Sequence, residues 1–298
     1  MVGARRLRVA AVALGAVGGG FSALYALLSE QGRRARLAIG VPEAPPPRAD
    51  GVYTPAHLHG IRPSLRFAVV GDSMAAGLGV DREDELPGVL MARGLAEEAD
   101  RPVRLTTYAI SGSTTNDLPA QVDRVLQDPP DVALVIIGAN DVTTRVSIGT
   151  AVTVLATEVR RLRLAGIGVV VGTCPDLGAI RPIAQPLRSV ARSWSLRLAK
   201  EQKTAVEQAG GVAVPLADLL SPEFLARPGD LFSADRFHPN AAGYDAAAAI
   251  LLAPLCSVAG VWHGGPLPEW PQRSALAEAR RPTTRIVAWL NRKHRQQK

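Results

Sequence analysis

Short apolar runs alternate with longer stretches of helical periodicity along residues 65–256. The apolar runs predict five strands, at Arg66–Val70, Val103–Ile110, Val132–Ile137, Gly168–Gly172 and Val212–Pro215. The periodic stretches predict helices at Glu85–Ala99, Asp117–Gln127, Ile148–Ala165, Leu187–Gln208 and Asn240–Leu252. Runs that are apolar on both sides are typical of parallel strands buried under helices. The alternation therefore predicts an α/β fold, a three-layer α/β/α sandwich around a parallel five-stranded sheet.

The N-terminal segment has the pattern of a membrane anchor. Residues 9–29 carry no charge, and Arg5, Arg6 and Arg8 precede them. About 20 apolar residues match the hydrocarbon thickness of a bilayer, whereas the apolar core of a secretory signal has roughly 7–15. We expect residues 1–30 to be an uncleaved transmembrane signal anchor, with the following domain outside the cytoplasm in the cell envelope. A cleaved signal peptide and a secreted protein are the alternative.

The segments that flank the predicted domain differ from it in composition. Residues 31–64 are rich in proline, which predicts an extended linker unable to pack a core. Residues 257–298 form a basic tail, in which Thr284–Arg295 could make a short amphipathic helix. The net charge of +7 lies in this tail, because Arg273–Lys298 holds eight basic residues and one acidic residue. The neutral body gives no reason to expect a nucleic-acid partner.

Cysteine and glycine motifs exclude several functional classes. Two cysteines, Cys174 and Cys256, do not make a disulfide framework, and their pairing is left open. No His/Cys spacing suggests a metal site, and no phosphate-binding glycine loop is found. We therefore expect no metal and no cofactor.

A serine stands where the first predicted strand stops, in Gly71-Asp72-Ser73. Ligands of open α/β sheets sit at the carboxyl ends of the strands, so Ser73 is placed where a nucleophile is useful. Its hydroxyl needs a base, and of five histidines only His238 lies within the α/β body. Asp235 comes three residues earlier and can orient that imidazole, which gives the set Ser73, His238 and Asp235. A structural histidine satisfied by its neighbouring aspartate is the alternative.

Two other strand ends carry candidate oxyanion donors. Gly112 follows the second strand, where the lack of a Cβ lets the backbone N–H approach a ligand. Asn140 follows the third strand and offers a side-chain amide. With the N–H of Ser73, they would make three donors. Asp72, Asp141 and Asp176 also stand at strand ends, and we assign them structural roles.

Taken together, these blocks resemble the SGNH hydrolases, also called GDSL-type esterases and lipases. The matching stretches, in the family's order, are Gly71-Asp72-Ser73, Gly112, Gly138-Ala-Asn140-Asp141 and Asp235-Arg-Phe-His238. The resemblance covers roughly residues 65–256 and implies a flavodoxin-like fold with Ser73, His238 and Asp235 as the triad. It also implies an oxyanion hole of Ser73, Gly112 and Asn140. Met74 departs from the leucine of the GDSL name, and Ala75 is not the glycine that an α/β-hydrolase elbow requires.

The expected function is hydrolysis of short-chain carboxylic esters through an acyl-enzyme. The body has no insertion long enough for a lid, so we expect an open, shallow cleft that takes small acyl-ester substrates, in a monomeric catalytic domain. Two alternatives stay open. One is an O-deacetylase or acyltransferase of a cell-envelope polysaccharide, and the other is a catalytically silent, membrane-tethered carbohydrate-binding module.

Overall fold

The computed structural model describes residues 22–40, 45–58 and 62–267. Most of the predicted anchor, the end of the basic tail and the predicted helix Thr284–Arg295 lie outside these residues. Residues 22–39 are helical (α1). The strands are β1 Gly51–Tyr53, β2 Leu65–Gly71, β3 Val103–Thr107, β4 Val132–Ile136, β5 Gly168–Gly172 and β6 Val212–Val214. The first helices of the body are α2 Ser73–Ala76, α3 Pro87–Ala99, α4 Leu118–Gln127 and α5 Ala139–Thr144. They are followed by α6 Ile148–Leu164, α7 Leu187–Gln208, α8 Leu216–Ala226, α9 Pro228–Leu231 and α10 Ala241–Val258.

The strands form one sheet in the order β1-β3-β2-β4-β5-β6. The five predicted strands are all present and pair in parallel, so the predicted architecture is confirmed. The prediction of five strands missed β1, which pairs antiparallel with the edge of β3. A three-residue strand beside a proline-rich stretch has no periodicity of its own and is fixed by its partner. The second predicted strand ends at Thr107, three residues earlier than expected.

Each face of the sheet has its own apolar core. Phe67 and Val69 of β2 belong to the core under α3 and α10, whereas Ala68 and Val70 belong to the core under α4 and α6. Successive strand residues point to opposite faces, so a strand covered on both sides must be apolar throughout. The three layers follow from that pattern.

Within the described ranges, α10 is the one helix that is long and apolar enough to cross a membrane. Its buried residues, among them Tyr244, Leu251 and Leu255, instead pack it against α3 and the sheet. The hydroxyl of Tyr244 donates a 2.7 Å hydrogen bond to the carbonyl of Leu78. We therefore describe α10 as a core helix. It runs past Leu252, where the sequence predicted its end, and it contains Pro254.

The segment predicted to be an extended linker, residues 31–64, is partly folded against the domain. Its first residues continue α1, where Ala35 is buried in the core under α3 and α10. Farther along, β1 pairs with β3, and Asp50 accepts a 2.9 Å hydrogen bond from the N–H of Thr107. The many prolines exclude long regular elements here, yet they leave room for side-chain contacts with the sheet edge.

Candidate active site

The serine at the end of β2 is positioned by a tight turn. Gly71 has φ of +137°, and a Cβ there would lie 1.9 Å from the carbonyl oxygen of Ile136, so only glycine fits. Asp72 then caps α2, because its carboxylate accepts a 2.9 Å hydrogen bond from the N–H of Met74. Ser73 is consequently the first residue of α2, at the carboxyl edge of the sheet, with 7% of its surface exposed.

The imidazole of His238 reaches this serine from the loop before α10. Its Nε2 lies 2.9 Å from the Oγ of Ser73, and its Nδ1 lies 2.6 Å from Oδ2 of Asp235. The N–H of Ser233 bonds the carbonyl of His238, and Asn240 caps α10 through the N–H of Gly243, so both ends of the loop are fixed. The structure thus brings together the three residues that the sequence singled out as nucleophile, base and orienter.

Asp235 holds the loop and the imidazole with different oxygens. Its Oδ1 accepts hydrogen bonds from Ser233 Oγ at 2.7 Å, from the N–H of Phe237 at 2.8 Å and from the N–H of His238 at 2.9 Å. Partial burial would raise the pKa of this carboxyl, but the bonds from His238, Phe237 and Ser233 outweigh it and lower the pKa below its usual range. Asp235 is therefore a carboxylate at neutral pH, facing Nδ1.

The pKa of Asp72 is shifted in the opposite direction, because burial outweighs the hydrogen bonds there. Loss of solvent raises the pKa of Asp72 to about 7, although the N–H of Met74 and the nearby His238 partly counteract it. Its role is the cap described above. Asp141, also assigned a structural role, accepts hydrogen bonds from the N–H and hydroxyl of Thr115. Burial raises the pKa of Asp141, and these bonds lower it.

The two loops that carry the candidate oxyanion donors are bonded to each other. Asn140 donates from Nδ2 to the carbonyl of Ser113 at 3.0 Å, which fixes the amide beside the loop of Gly112. Gly112 is in the left-handed region with φ of +85°. It stands two residues after Ile110, whose N–H bonds the carbonyl of Gly71 at the end of β2. Gly112 thus lies on the loop after β3 and Asn140 in the first turn of α5 after β4, at the ends of the two strands that flank β2.

Next to the serine is an apolar pocket of about 60 Å³. Besides Ser73 and His238, the residues that form its walls include Leu177, Ile180, Leu216, Leu220, Phe224, Phe232 and Phe237. Three of the five phenylalanines of the chain stand here. The sequence predicted an open, shallow cleft and gave no sign of this apolar pocket, to whose wall α8, a helix that the sequence did not predict, contributes.

A family comparison agrees with this geometry. The sequence profile of the GDSL-like Lipase/Acylhydrolase family matches residues 69–246, which run from β2 to the start of α10. The chain belongs to this family. The resemblance inferred from the sequence is thereby confirmed, and so is the assignment to hydrolases that act on esters.

Relatives with similar sequence or structure support the family assignment. The chain is 44% identical over 277 residues to the GDSL-like esterase Rv1075c of Mycobacterium tuberculosis, a match that covers 89% of this chain and 87% of the relative. Crystal structures of TesA and of a lipase/acylhydrolase from Enterococcus faecalis superpose with TM-scores of 0.50 and 0.52. They are 22% and 20% identical, and the superpositions cover 65% and 70% of this chain and 99% and 100% of those chains. These structures support the fold.

Sequence reasoning missed several residues that hold this GDSL-family site together. Gln121 of α4 is buried, accepts a hydrogen bond from the N–H of Gly71 and donates to the carbonyl of Gly71 and to Ser113. Asp176, to which the sequence assigned a structural role at a strand end, borders the apolar pocket and accepts a hydrogen bond from Ser221 Oγ at 2.9 Å, with Arg192 3.2 Å away; Ser221 and Arg192 were not predicted. A lone polar residue on an amphipathic helix gives no local sign of such a partner. Only the folded contacts reveal it.

Within the part of the chain that the structure describes, no group of three or more His, Cys, Asp or Glu side chains is placed to hold a metal ion. Cys174 and Cys256 are both buried, free thiols.

Proposed function

We propose that this family member hydrolyses short-chain carboxylic esters through an acyl-enzyme on Ser73. The observation that carries the proposal is the continuous line of contacts from Ser73 Oγ through both nitrogens of His238 to the carboxylate of Asp235, at 2.9 and 2.6 Å. This order of nucleophile, base and orienter is the arrangement that activates a serine hydroxyl.

The geometry supports a two-step reaction. His238 Nε2 accepts the Ser73 proton while Oγ attacks the acyl carbonyl, and Asp235 stabilises the imidazolium that forms. His238 then returns the proton to the departing alcohol as the acyl-enzyme forms. Water repeats the sequence: its proton goes to Nε2, its oxygen bonds the acyl carbon, and Ser73 leaves with the proton. The products are an alcohol and a carboxylic acid.

We propose that the oxyanion of each tetrahedral intermediate is held by the N–H of Ser73, the N–H of Gly112 and Nδ2 of Asn140. The support is the placement of their loops at adjacent strand ends and the bond from Asn140 to Ser113, which uses one amide hydrogen and leaves the other for a ligand. Losing one such donor costs on the order of 10²–10³ in turnover.

The apolar pocket supports a short acyl group as the substrate. Its volume is about 60 Å³. A cavity of this size admits only a small group beside Ser73. Its wall of leucine and phenylalanine side chains favours an alkyl group. A series of p-nitrophenyl esters tests this proposal: we expect kcat/KM to be greatest for acyl groups of about two to six carbons. A maximum at long chains would contradict it.

Covalent labelling tests the nucleophile directly. We expect a fluorophosphonate to label the wild-type chain, and Ser73→Ala to lose both the label and esterase activity. Ser221→Ala is the matched control, because Ser221 also borders the apolar pocket but bonds Asp176 instead of a histidine. It should keep the label. Near-normal esterase activity in Ser73→Ala would refute the proposal.

The size of the apolar pocket also admits an acetyl group, which favours one second candidate, O-deacetylation or acetyl transfer on an envelope polysaccharide. The chemistry on Ser73 is the same, and only the alcohol or the acyl acceptor differs. Release of acetate from an O-acetylated polysaccharide, compared with hydrolysis of a simple acetyl ester, separates the two. The silent carbohydrate-binding module is not retained.

The location of the enzyme remains a proposal based on the sequence. We propose that residues 1–30 anchor the chain in a membrane with the catalytic domain in the cell envelope. The support is the uncharged stretch at residues 9–29 behind three arginines. After alkaline extraction of membranes, the full chain should stay in the pellet; release into the supernatant would contradict an anchor. A monomeric catalytic domain likewise stays a prediction.

A further inference from the structure

A second and larger cavity lies between α1 and the catalytic body. Its volume is about 390 Å³, within the roughly 300–1,000 Å³ of most small-molecule sites. On the α1 side its walls include Tyr25, Leu28, Gly32 and Ala35, and on the body side Val142, Ile183, Leu187, Ala191, Trp194 and Phe237. We refer to it as the α1 cavity.

The wall that α1 provides is held in place by specific contacts. The side chain of Gln31 donates to the carbonyl of Gln185 at 2.6 Å and accepts from the N–H of Leu187 at 3.0 Å. Ala35, one turn farther along, is buried against the body. The helix is thus fixed on the body by polar and apolar contacts while a space remains beside them. The α1 cavity is therefore a groove, open on one side to solvent, that an apolar ligand can enter.

The chemistry of the α1 cavity fits an alkyl chain with an anionic head. Its inner walls are aliphatic and aromatic, whereas two exposed arginines, Arg36 and Arg145, stand among its lining residues. Neither forms an ion pair with a carboxylate among residues 22–40, 45–58 and 62–267, and Arg145 hydrogen-bonds the hydroxyl of Tyr25. Cations beside an apolar wall are complementary to a carboxylate or phosphate on a hydrocarbon chain.

Phe237 connects the α1 cavity with the catalytic centre. Its side chain lines both the α1 cavity and the apolar pocket, and its ring meets the ring of His238 edge to face at 4.8 Å between centroids. An occupant of the α1 cavity therefore touches the same ring that closes one side of the apolar pocket. The two spaces are separate sites that share one wall.

We propose that the α1 cavity binds a single-chain anionic amphiphile, with the hydrocarbon chain between α1 and α7 and the head group at Arg36 and Arg145. The site goes beyond the esterase mechanism, which uses neither arginine. It is distinct from the apolar pocket, which is several times smaller. A free fatty carboxylate and an anionic phospholipid share this chemistry, and we assign the site to the single-chain carboxylate because one cavity accommodates one chain.

The experiment measures binding of dodecanoate, below its micelle concentration, to the full-length Ser73→Ala chain by titration calorimetry. This variant separates binding from turnover. A lack of dodecanoate binding would therefore leave the esterase proposal unaffected, and a failure of the labelling test would leave the proposed amphiphile site unaffected. We expect saturable binding with one molecule per chain. Anionic phospholipid vesicles form the second arm, and binding to vesicles without binding of dodecanoate would overturn the proposal.

Two variants that fill the cavity from opposite walls locate the site. Gly32→Leu acts from α1, where a Cβ meets only ordinary contacts at 3.6 and 3.7 Å, and Ala191→Leu acts from α7. Each buried methylene contributes roughly fourfold to a binding affinity. We therefore expect each of the two substitutions to lower the affinity for dodecanoate by at least about tenfold. Binding unchanged in both, with folding verified by circular dichroism, would refute the site.

Neutralising the head-group arginines tests the charge of the α1 cavity and leaves its apolar wall residues unchanged. Arg36→Gln combined with Arg145→Gln should lower the affinity for dodecanoate by about tenfold or more. The affinity for the uncharged dodecan-1-ol should stay within about twofold of its original value. Arg34→Gln is the matched control, because Arg34 lies on the same helix but pairs with Glu30 and does not line the cavity. It should leave dodecanoate binding unchanged. An equal loss of affinity for both ligands would contradict the proposal, and so would an equal loss of dodecanoate affinity in Arg34→Gln.

Discussion

Replacing Asp235 by asparagine isolates one property of the site, the tautomer of His238. In the wild-type chain Oδ1 of Asp235 accepts three hydrogen bonds, from Ser233 Oγ and from the N–H groups of Phe237 and His238. An asparagine keeps its carbonyl oxygen toward these three donors, since its NH₂ group cannot accept them. The NH₂ group then takes the position of Oδ2, 2.6 Å from Nδ1 of His238.

The consequence is that His238 takes the other neutral tautomer. Because the NH₂ group is a donor, Nδ1 must become an acceptor, and the ring proton moves to Nε2, the atom 2.9 Å from Ser73 Oγ. Nε2 with a proton cannot accept the one from Ser73, so the base is lost although the loop stays in place. In a serine protease triad the same change lowers kcat about 10⁴-fold, and we expect a similar loss, roughly 5 kcal/mol of transition-state stabilisation.

The assay is steady-state hydrolysis of p-nitrophenyl butyrate near neutral pH, with thermal unfolding measured on the same samples. We expect kcat to fall by about 10⁴ with a small change in KM. Ser233→Ala is the matched control, because it removes one of the bonds to Oδ1 and leaves Oδ2 facing Nδ1. We expect Ser233→Ala to lower kcat by about tenfold or less. If Asp235→Asn stayed within tenfold of the wild type, the assigned role of Asp235 would be wrong.

Three further predictions concern the groups around the nucleophile. Asn140→Ala should lower kcat by about 10²–10³ with the fold intact, and a loss below tenfold would remove Asn140 from the oxyanion hole. For Asp72, burial raises the folded-state pKa to about 7, above roughly 3.9 in the unfolded chain. The folded state therefore binds the proton more tightly, and wild-type stability should fall as pH rises from about 4 to 7, by up to roughly 1.4 kcal/mol per pH unit. Asp72→Asn should lack this slope in urea unfolding, and parallel pH profiles for the two proteins would refute it. Gln121→Ala leaves the buried N–H of Gly71 and the hydroxyl of Ser113 without this partner, so urea unfolding should show a loss of roughly 3 kcal/mol; a loss under about 1 kcal/mol would mean that water replaces the amide.

The candidate catalytic residues could be found in the sequence because their signals are local. Ser73 follows an apolar run that stops at a glycine, and Asp235 lies three residues before His238, close enough for one loop to join the two side chains. The parallel strands were recognisable because burial on both faces makes them apolar throughout. Such signals need no knowledge of distant contacts.

The features that escaped prediction all depend on contacts between distant segments. β1 is a strand only because it lies against β3, and its three residues have no pattern of their own. The helix α8 contains Pro222, which reads as a helix breaker, although Leu220 and Phe224 on it complete the apolar pocket. The gathering of phenylalanines beside Ser73 also escaped prediction, because they come from separate segments of the chain.

The attachment of α1 changes how the enzyme would meet a membrane. Among the described residues, Gln31 and Ala35 hold α1 on the body, and β1 holds residues 51–53 at the sheet edge. If residues 9–29 span a bilayer as the sequence predicts, the catalytic serine sits at a set height and angle above the lipid head groups. Such an enzyme would act on esters that lie at one fixed distance from the membrane surface. It would encounter new substrate by lateral diffusion in the membrane.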